Sequence, residues 1–172
     1  MTAIHSKQNG AALFVCLMLL LVMTLIGVSA ITSSTLEEKM AGNIRNKHLS
    51  FQAAEAALRA GEAVAAGLPS DTNFNGTNGL YPRTNVDDPD FPIWNSAANW
   101  ASYDLNAVIN PDVVQNPQYI IENFGTAPRD NSCALEVPPK PGCMLPVYRV
   151  TARGWGLNLN TSSMIQSTYK QL

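Results

Sequence analysis

Ala11-Ala12-Leu13-Phe14-Val15-Cys16-Leu17-Met18-Leu19-Leu20-Leu21-Val22-Met23-Thr24-Leu25-Ile26-Gly27-Val28-Ser29-Ala30-Ile31 is the stretch on which the fold turns. It is strongly apolar, and no charged residue occurs between Lys7 and Glu37. As a helix these residues rise about 31 Å, which matches the hydrocarbon core of a bilayer. Directly before them stands Lys7-Gln8-Asn9-Gly10, the end of a short polar leader that closes on glycine. That boundary suits a chain cut before its membrane helix, which then keeps the helix as its new N-terminus.

Two rival readings exist for the same segment. A secretory signal would be removed altogether, and Val28-Ser29-Ala30 offers small residues at the spacing signal peptidase prefers. Against it, the apolar run is longer than a signal's usual core, and the leader carries a single lysine. The other rival is a plain uncleaved anchor. N-terminal sequencing separates the three by finding Ala11, Ile31 or Met1.

The chain has 172 residues, room for one soluble domain beside a membrane segment. Its 11 basic and 13 acidic residues give a net charge of −2. Cutting after Gly10 removes Lys7 alone among them, leaving 10 against 13 and a net charge of −3. There is no basic stripe, which argues against a nucleic-acid partner. Leu, Val and Met concentrate before residue 32, whereas Asn, Pro, Gly and Ser dominate after residue 68. Such a shift marks a change of solvent within one chain. Lys7 ahead of an acid-free leader places the N-terminus in the cytoplasm and the rest outside it, in the periplasm of a Gram-negative cell.

Past the apolar run the helical pattern continues. Leu36, Met40, Ile44, Phe51, Ala54 and Leu58 form an amphipathic stripe, with Glu37, Glu38, Arg45, Lys47, Glu55, Arg59 and Glu62 largely off it. Residues 53–66 are rich in alanine, and Gly67-Leu68-Pro69 supplies a stop. One helix over 11–66 is therefore expected, roughly 84 Å long if unbroken. Gly27 and Gly42-Asn43 weaken its continuity: Gly27 fits close packing in the membrane as well as a flex point, and Gly42-Asn43 is a candidate bend. The stripe from Leu36 to Leu58 needs a cover, and the C-terminal region is the available partner.

These residues carry a family resemblance. Gly10 before an apolar helix resembles the class III leader of type IV prepilins. Thr35-Leu36-Glu37-Glu38-Lys39-Met40-Ala41-Gly42-Asn43 with Arg45, and Phe51-Gln52-Ala53-Ala54-Glu55-Ala56-Ala57-Leu58-Arg59, closely resemble the PilX family of minor pilins. The match covers roughly residues 8–62. A weaker echo lies at Tyr148-Arg149-Val150-Thr151-Ala152-Arg153-Gly154 and Gln166-Ser167-Thr168-Tyr169, and residues 68–145 match nothing nameable.

The resemblance implies a layout: leader 1–10, transmembrane half 11–32, periplasmic half of the helix 33–67, and an α+β head 68–172. It implies cleavage between Gly10 and Ala11 by prepilin peptidase and N-methylation of Ala11, although Ala11 stands where major pilins usually have Phe. It also implies an inner-membrane protein, N-terminus inside and head in the periplasm, that moves to a pilus tip. The implied partners are other minor pilins, the major pilin, a tip-associated adhesin and the inner-membrane assembly platform. No cofactor and no small-molecule substrate are implied.

Major pilins resemble one another in carrying Glu at the fifth mature position, where this chain has Val15. A carboxylate there would sit in hydrocarbon at a cost of a few kcal/mol unless paired. In the family that Glu meets the N-terminal amine of the subunit above. A subunit with nothing above it has no amine to meet, so Val15 suits a first-in, tip-located subunit that primes assembly. An ordinary lipid-facing residue in a non-pilin anchor is the alternative. A type II secretion pseudopilin at a pseudopilus tip would share the leader and also lack the acid, and a bitopic periplasmic binding protein unrelated to filaments is a third reading.

The C-terminal region reads as a long N-terminal helix's partner: a small antiparallel sheet in a pilin-like α+β fold. Residues 71–90 are turn-rich, with Asn75-Gly76, Asn78-Gly79 and aspartates at 87, 88 and 90. Asp71-Thr72-Asn73-Phe74-Asn75-Gly76 matches the first half of an EF-hand loop, but its twelfth position is Pro82, so no calcium site is expected. A short helix is predicted within 94–108, with Trp94, Ala97, Ala98 and Ala101 on one side. Strands are predicted at 119–124, 147–153 and 164–169; in the second, Tyr148, Val150 and Ala152 alternate with Arg149, Thr151 and Arg153. Cys133 and Cys143 lie ten apart around Pro138-Pro139-Lys140-Pro141-Gly142, and a disulfide is expected in an oxidising compartment, free thiols being the alternative. A zinc site would need further Cys or His, so no metal is expected. Cys16 reads as a small apolar helix residue.

No catalytic constellation is legible. His5 lies in the leader, His48 sits among polar residues, and no Ser or acid falls in a nucleophile-elbow or metal-ligand spacing. Glu37-Glu38 reads as a solvated helix segment rather than an acid/base pair.

Overall fold

A computed structural model of the chain describes residues 11–69, 71–85, 87–89, 91–96, 99–105 and 113–171. The expectations that fall on Gly10 and the leader, and on Ala97, Ala98 and residues 106–108, lie outside them. The element order is α1 (Ala11–Ala66), β1 (Leu80–Tyr81), α2 (Ile93–Ser96), β2 (Ala101–Ser102), β3 (Gln118–Pro128), α3 (Asn131–Leu135), β4 (Met144–Trp155) and β5 (Ser162–Lys170). The chain divides into two compact units between Ile44 and Arg45.

In the first unit, 11–44 is helical without interruption, through both Gly27 and Gly42. A Cβ at either glycine would meet nothing within 4 Å, so neither is demanded by packing inside the chain. Its hydroxyls bond back to the helix: Thr24 Oγ1 donates to Leu21 O, Thr32 Oγ1 to Val28 O and Thr35 Oγ1 to Thr32 O at 2.8, 2.9 and 2.9 Å. These hydroxyls therefore find their partners within the helix itself.

The second unit is an α+β head. Its sheet runs β1-β3-β4-β5, with β2 also on β3. The long strands are antiparallel, Ile121 opposite Val150 and Val150 opposite Ser167. The expected all-antiparallel sheet is in fact mixed, because β1 runs parallel to β3. The turn before β1 imposes this. Gly79 sits at φ 76° and its carbonyl accepts from Ile121 N at 2.7 Å. A Cβ there would lie 2.9 Å from Ala101 Cβ and 3.0 Å from Tyr119 O, so only glycine lets this turn lie against β3. Among the described residues of 94–108 the helix is α2, and Ala101, expected on its apolar side, lies instead in β2, opposite Tyr119 of β3.

The sheet buries both faces. On one, Tyr148, Val150 and Ile121 pack with Ala65, Leu58 and Tyr169. On the other, Ile120 packs with Tyr81, Ile93, Trp94 and Trp100. The alternation read in 147–153 is the one observed. α1 ends where Gly67 N bonds Val64 O, and Gln171 Nε2 donates to the carbonyls of Ala66 and Leu68, both at 3.0 Å.

Candidate functional site

The face of α1 that meets the sheet is made of small residues rather than the predicted stripe. Asn46, Ser50, Ala53, Ala54, Ala57, Gly61 and Ala65 are buried. Ala54 and Leu58 of the stripe do contribute, but Phe51 is 44 % exposed, and Leu36, Met40 and Ile44 are exposed in the first unit. The reason is distance. Gly154 and Gly156 of the β4 region have no side chain to hold the helix off, so backbone meets backbone. Large residues at that seam would push the helix away, and the chain therefore turns them outward.

Polar groups on the seam are paired. Asn46 Oδ1 accepts from Leu157 N at 2.7 Å while its Nδ2 donates to Thr161 Oγ1 at 2.8 Å. The hydroxyls of Ser50 and Ser163 share a hydrogen bond of 2.6 Å. Ser167 Oγ donates to Glu62 Oε1 at 2.6 Å. Sequence reasoning missed Asn46, Ser50 and the glycines; the one signal was their small size at a helical spacing near four.

The residues singled out in the sequence fall into a different class. Ala11 opens α1, and Val15 is 53 % exposed on it. Glu37, Glu38, Met40, Gly42, Asn43, Arg45, Gln52 and Arg59 are exposed, and Glu55 is half-buried. None of them joins another in a hydrogen bond or ion pair among the described residues. They are turned outward and converge on no site among the described residues.

The far face of the sheet carries a ladder of arginines and aromatic rings. Glu122, fully buried, accepts from Arg149 Nε at 2.7 Å and Nη2 at 2.5 Å, and from Thr84 Oγ1 at 3.2 Å. The Arg149 guanidinium lies 5.1 Å from the Phe124 ring and 5.6 Å from Trp94, and Arg83 covers Phe124 at 4.7 Å. Arg153 stacks 4.0 Å from Trp100 and 5.1 Å from Trp155 while donating twice to Gln118 Oε1. Burial presses the Arg153 pKa downward, and a guanidinium nevertheless stays charged.

Cys133 and Cys143 are joined, as expected, and close a loop at one end of the head. A bridge over so short a loop contributes roughly 2–3 kcal/mol in the chain-entropy account. Asp130 caps α3 just before this loop: Oδ1 accepts from Ser132 Oγ at 2.5 Å and from Cys133 N at 2.9 Å. The Ser132 hydroxyl, then the Cys133 amide, hold its carboxyl below the ordinary value of 3.8. With the folded value depressed, the cap is fully present above 3.8 and is lost as pH falls through the lower folded value. The Cys133 amide resonance is expected to titrate with a midpoint under 3.8; a midpoint at or above it contradicts the cap.

Among the described residues no group of three or more His, Cys, Asp or Glu converges on a point that would hold a metal. The chemistry on offer is packing, strand pairing and charge.

Comparison with known families gives two matches. The family described as PilX N-terminal matches residues 9–59, and that described as type IV pilus assembly protein PilX C-term matches residues 64–171. No curated protein and no solved structure matches the chain.

Proposed function

The chain belongs to the PilX family of type IV pilus assembly proteins, and from that membership we propose that this minor pilin helps to prime pilus assembly from a tip complex. The observation that carries the reading is Val15, apolar and exposed on a helix that is apolar all round from Ala11 to Ile31. One N-terminal helix of this kind suits the single-pass anchor of a pilin. In this reading Gly10–Ala11 is the cleavage point, 11–32 is the transmembrane half, 33–67 the periplasmic half and 68–172 the head. The N-terminus lies in the cytoplasm before cleavage, the head folds in the periplasm where Cys133 and Cys143 oxidise, and Ala11 is the methylated residue.

Partners follow from surfaces. The exposed Leu36, Met40 and Ile44 fit the helices of other minor pilins and of the major pilin. The head offers its exposed loops to a tip-associated adhesin. Prepilin peptidase and the inner-membrane platform act on the anchor.

Immunogold labelling of sheared pili tests the tip role: gold confined to filament ends is expected, and gold along the shaft overturns it. Sequencing of the mature N-terminus is expected to begin at Ala11. Val15→Glu is expected to leave cleavage unchanged without raising the yield of surface pili, and a higher yield sinks the tip reading.

A further inference from the structure

β5 is the outer strand of the sheet, pairing with β4 from Trp155↔Ser162 to Val147↔Lys170. No described strand lies on its other side. The ends of the ladder fix which backbone groups face outward. Gln171 N donates to Pro146 O and Gly156 N to Thr161 O, so the odd-numbered residues of β5 turn their N–H and C=O toward β4. Met164, Gln166, Thr168 and Lys170 therefore turn theirs away from the sheet. Lys47 Nζ reaches the Ser162 carbonyl at 2.5 Å, as that alternation requires. Among the described residues nothing hydrogen-bonds the outward backbone groups of Met164, Gln166 or Thr168.

Edges of this kind are ordinarily blunted by proline, a bulge or inward charge. β5 has nine residues with no Pro, no Gly and no register shift, and its one charge is Lys170 at the end. Even that ammonium is turned to the carbonyls of Pro128 and Arg129, at 3.3 and 3.1 Å. Beside the edge runs one side of α1. Lys47 ties it to Ser162, and Glu62 ties it to Ser167. Phe51, Glu55 and Leu58 follow at helical spacing between those two ties, Phe51 exposed and the others half-buried.

We propose that the open edge of β5 is a strand-addition site for an extended segment of a partner protein, with apolar and basic residues alternating toward α1. A row of alternating donors and acceptors is matched by another extended backbone. Every second side chain of the added strand faces α1, where Phe51 and Leu58 offer apolar surface and Glu55 and Glu62 offer negative charge. A second copy of the chain fits less well. Its β5 would turn Ser163, Ile165, Ser167 and Tyr169 toward α1, and none of these is basic.

The test places a photocrosslinking benzoylphenylalanine at Met164 of the full chain in the cells that make it. Thr168→Pro deletes one outward N–H and leaves the β4 bonds intact, whereas Thr168→Val keeps the N–H. The expected result is an adduct with a different protein whose yield falls about tenfold in Thr168→Pro and holds in Thr168→Val. No adduct, equal yield in both variants, or an adduct of two copies of this chain overturns the proposal. Amide exchange of the isolated wild-type chain in detergent gives a readout that no substitution disturbs. The Gln166 and Thr168 amides are expected to exchange at least about 100-fold faster than those of Ile165 and Ser167. Equal protection means that the edge is already covered, and the proposal fails. Pilus yield is scored separately, so failure of this site and failure of the priming role are told apart.

Discussion

Gly154→Val is expected to destabilise the head by about 3 kcal/mol, enough to leave much of it unfolded at 37 °C. A Cβ built on Gly154 lies 2.7 Å from Ser50 O and 2.8 Å from Ala53 C, with Ala54 N closer still. All of these are backbone atoms of α1, so no rotamer change relieves the clash and the helix itself must move. Moving it breaks the Ser50–Ser163 bond and the Asn46 bonds to Leu157 and Thr161. Gly67→Ala is the control, because its Cβ would meet only Val64 O and Ala63 O at 3.8 and 3.9 Å. It is expected to be neutral or stabilising by a few tenths of a kcal/mol. Urea unfolding of the full chain in detergent, followed through the three tryptophans of the head, reads the difference. The valine variant should shift the midpoint down by about 2 M, and a shift below about 0.5 M shows that the seam yields.

What the sequence made legible follows from period. The 11–66 helix could be read because apolar residues, alanines and a Gly-Leu-Pro stop agree over many turns, and local agreement of that kind survives folding. β4 could be read because Tyr148, Val150 and Ala152 alternate with Arg149, Thr151 and Arg153 over a long enough run. The face of α1 that meets the head differs from its apolar stripe for a physical reason. Size alone points large apolar residues at the head, yet a helix approaches a sheet most closely through Ala, Ser and Gly, and Leu36, Met40, Ile44 and Phe51 stay exposed. β1 and β2 have two residues each, too short for any period, and their places are set by bonds to β3 that no local pattern announces. The seam glycines belong to the same class: Gly154 and Gly156 gain meaning only when α1, about a hundred residues earlier, is laid across them.

Glu122 and Arg149 are the other pair that only the register reveals, standing opposite each other across β3 and β4. Glu122→Ala is expected to lower stability by about 3–5 kcal/mol, because it leaves a guanidinium that is 14 % exposed without its carboxylate. Arg149→Ala removes the donor to a fully buried carboxylate and should be at least as damaging. Arg149→Lys keeps the charge but loses the two-pronged contact and the stacking on Phe124 and Trp94, so it should recover only part of the loss. The decisive variant removes both charges. Glu122→Leu with Arg149→Met should lie within about 1–2 kcal/mol of wild type, since desolvation of two ions offsets much of their attraction. Single variants that each unfold the head while the double variant folds would show that the singles fail through an unpaired buried ion rather than through loss of a large net attraction. A double variant as damaged as the singles would instead locate the stabilisation in the ion pair and its ring contacts.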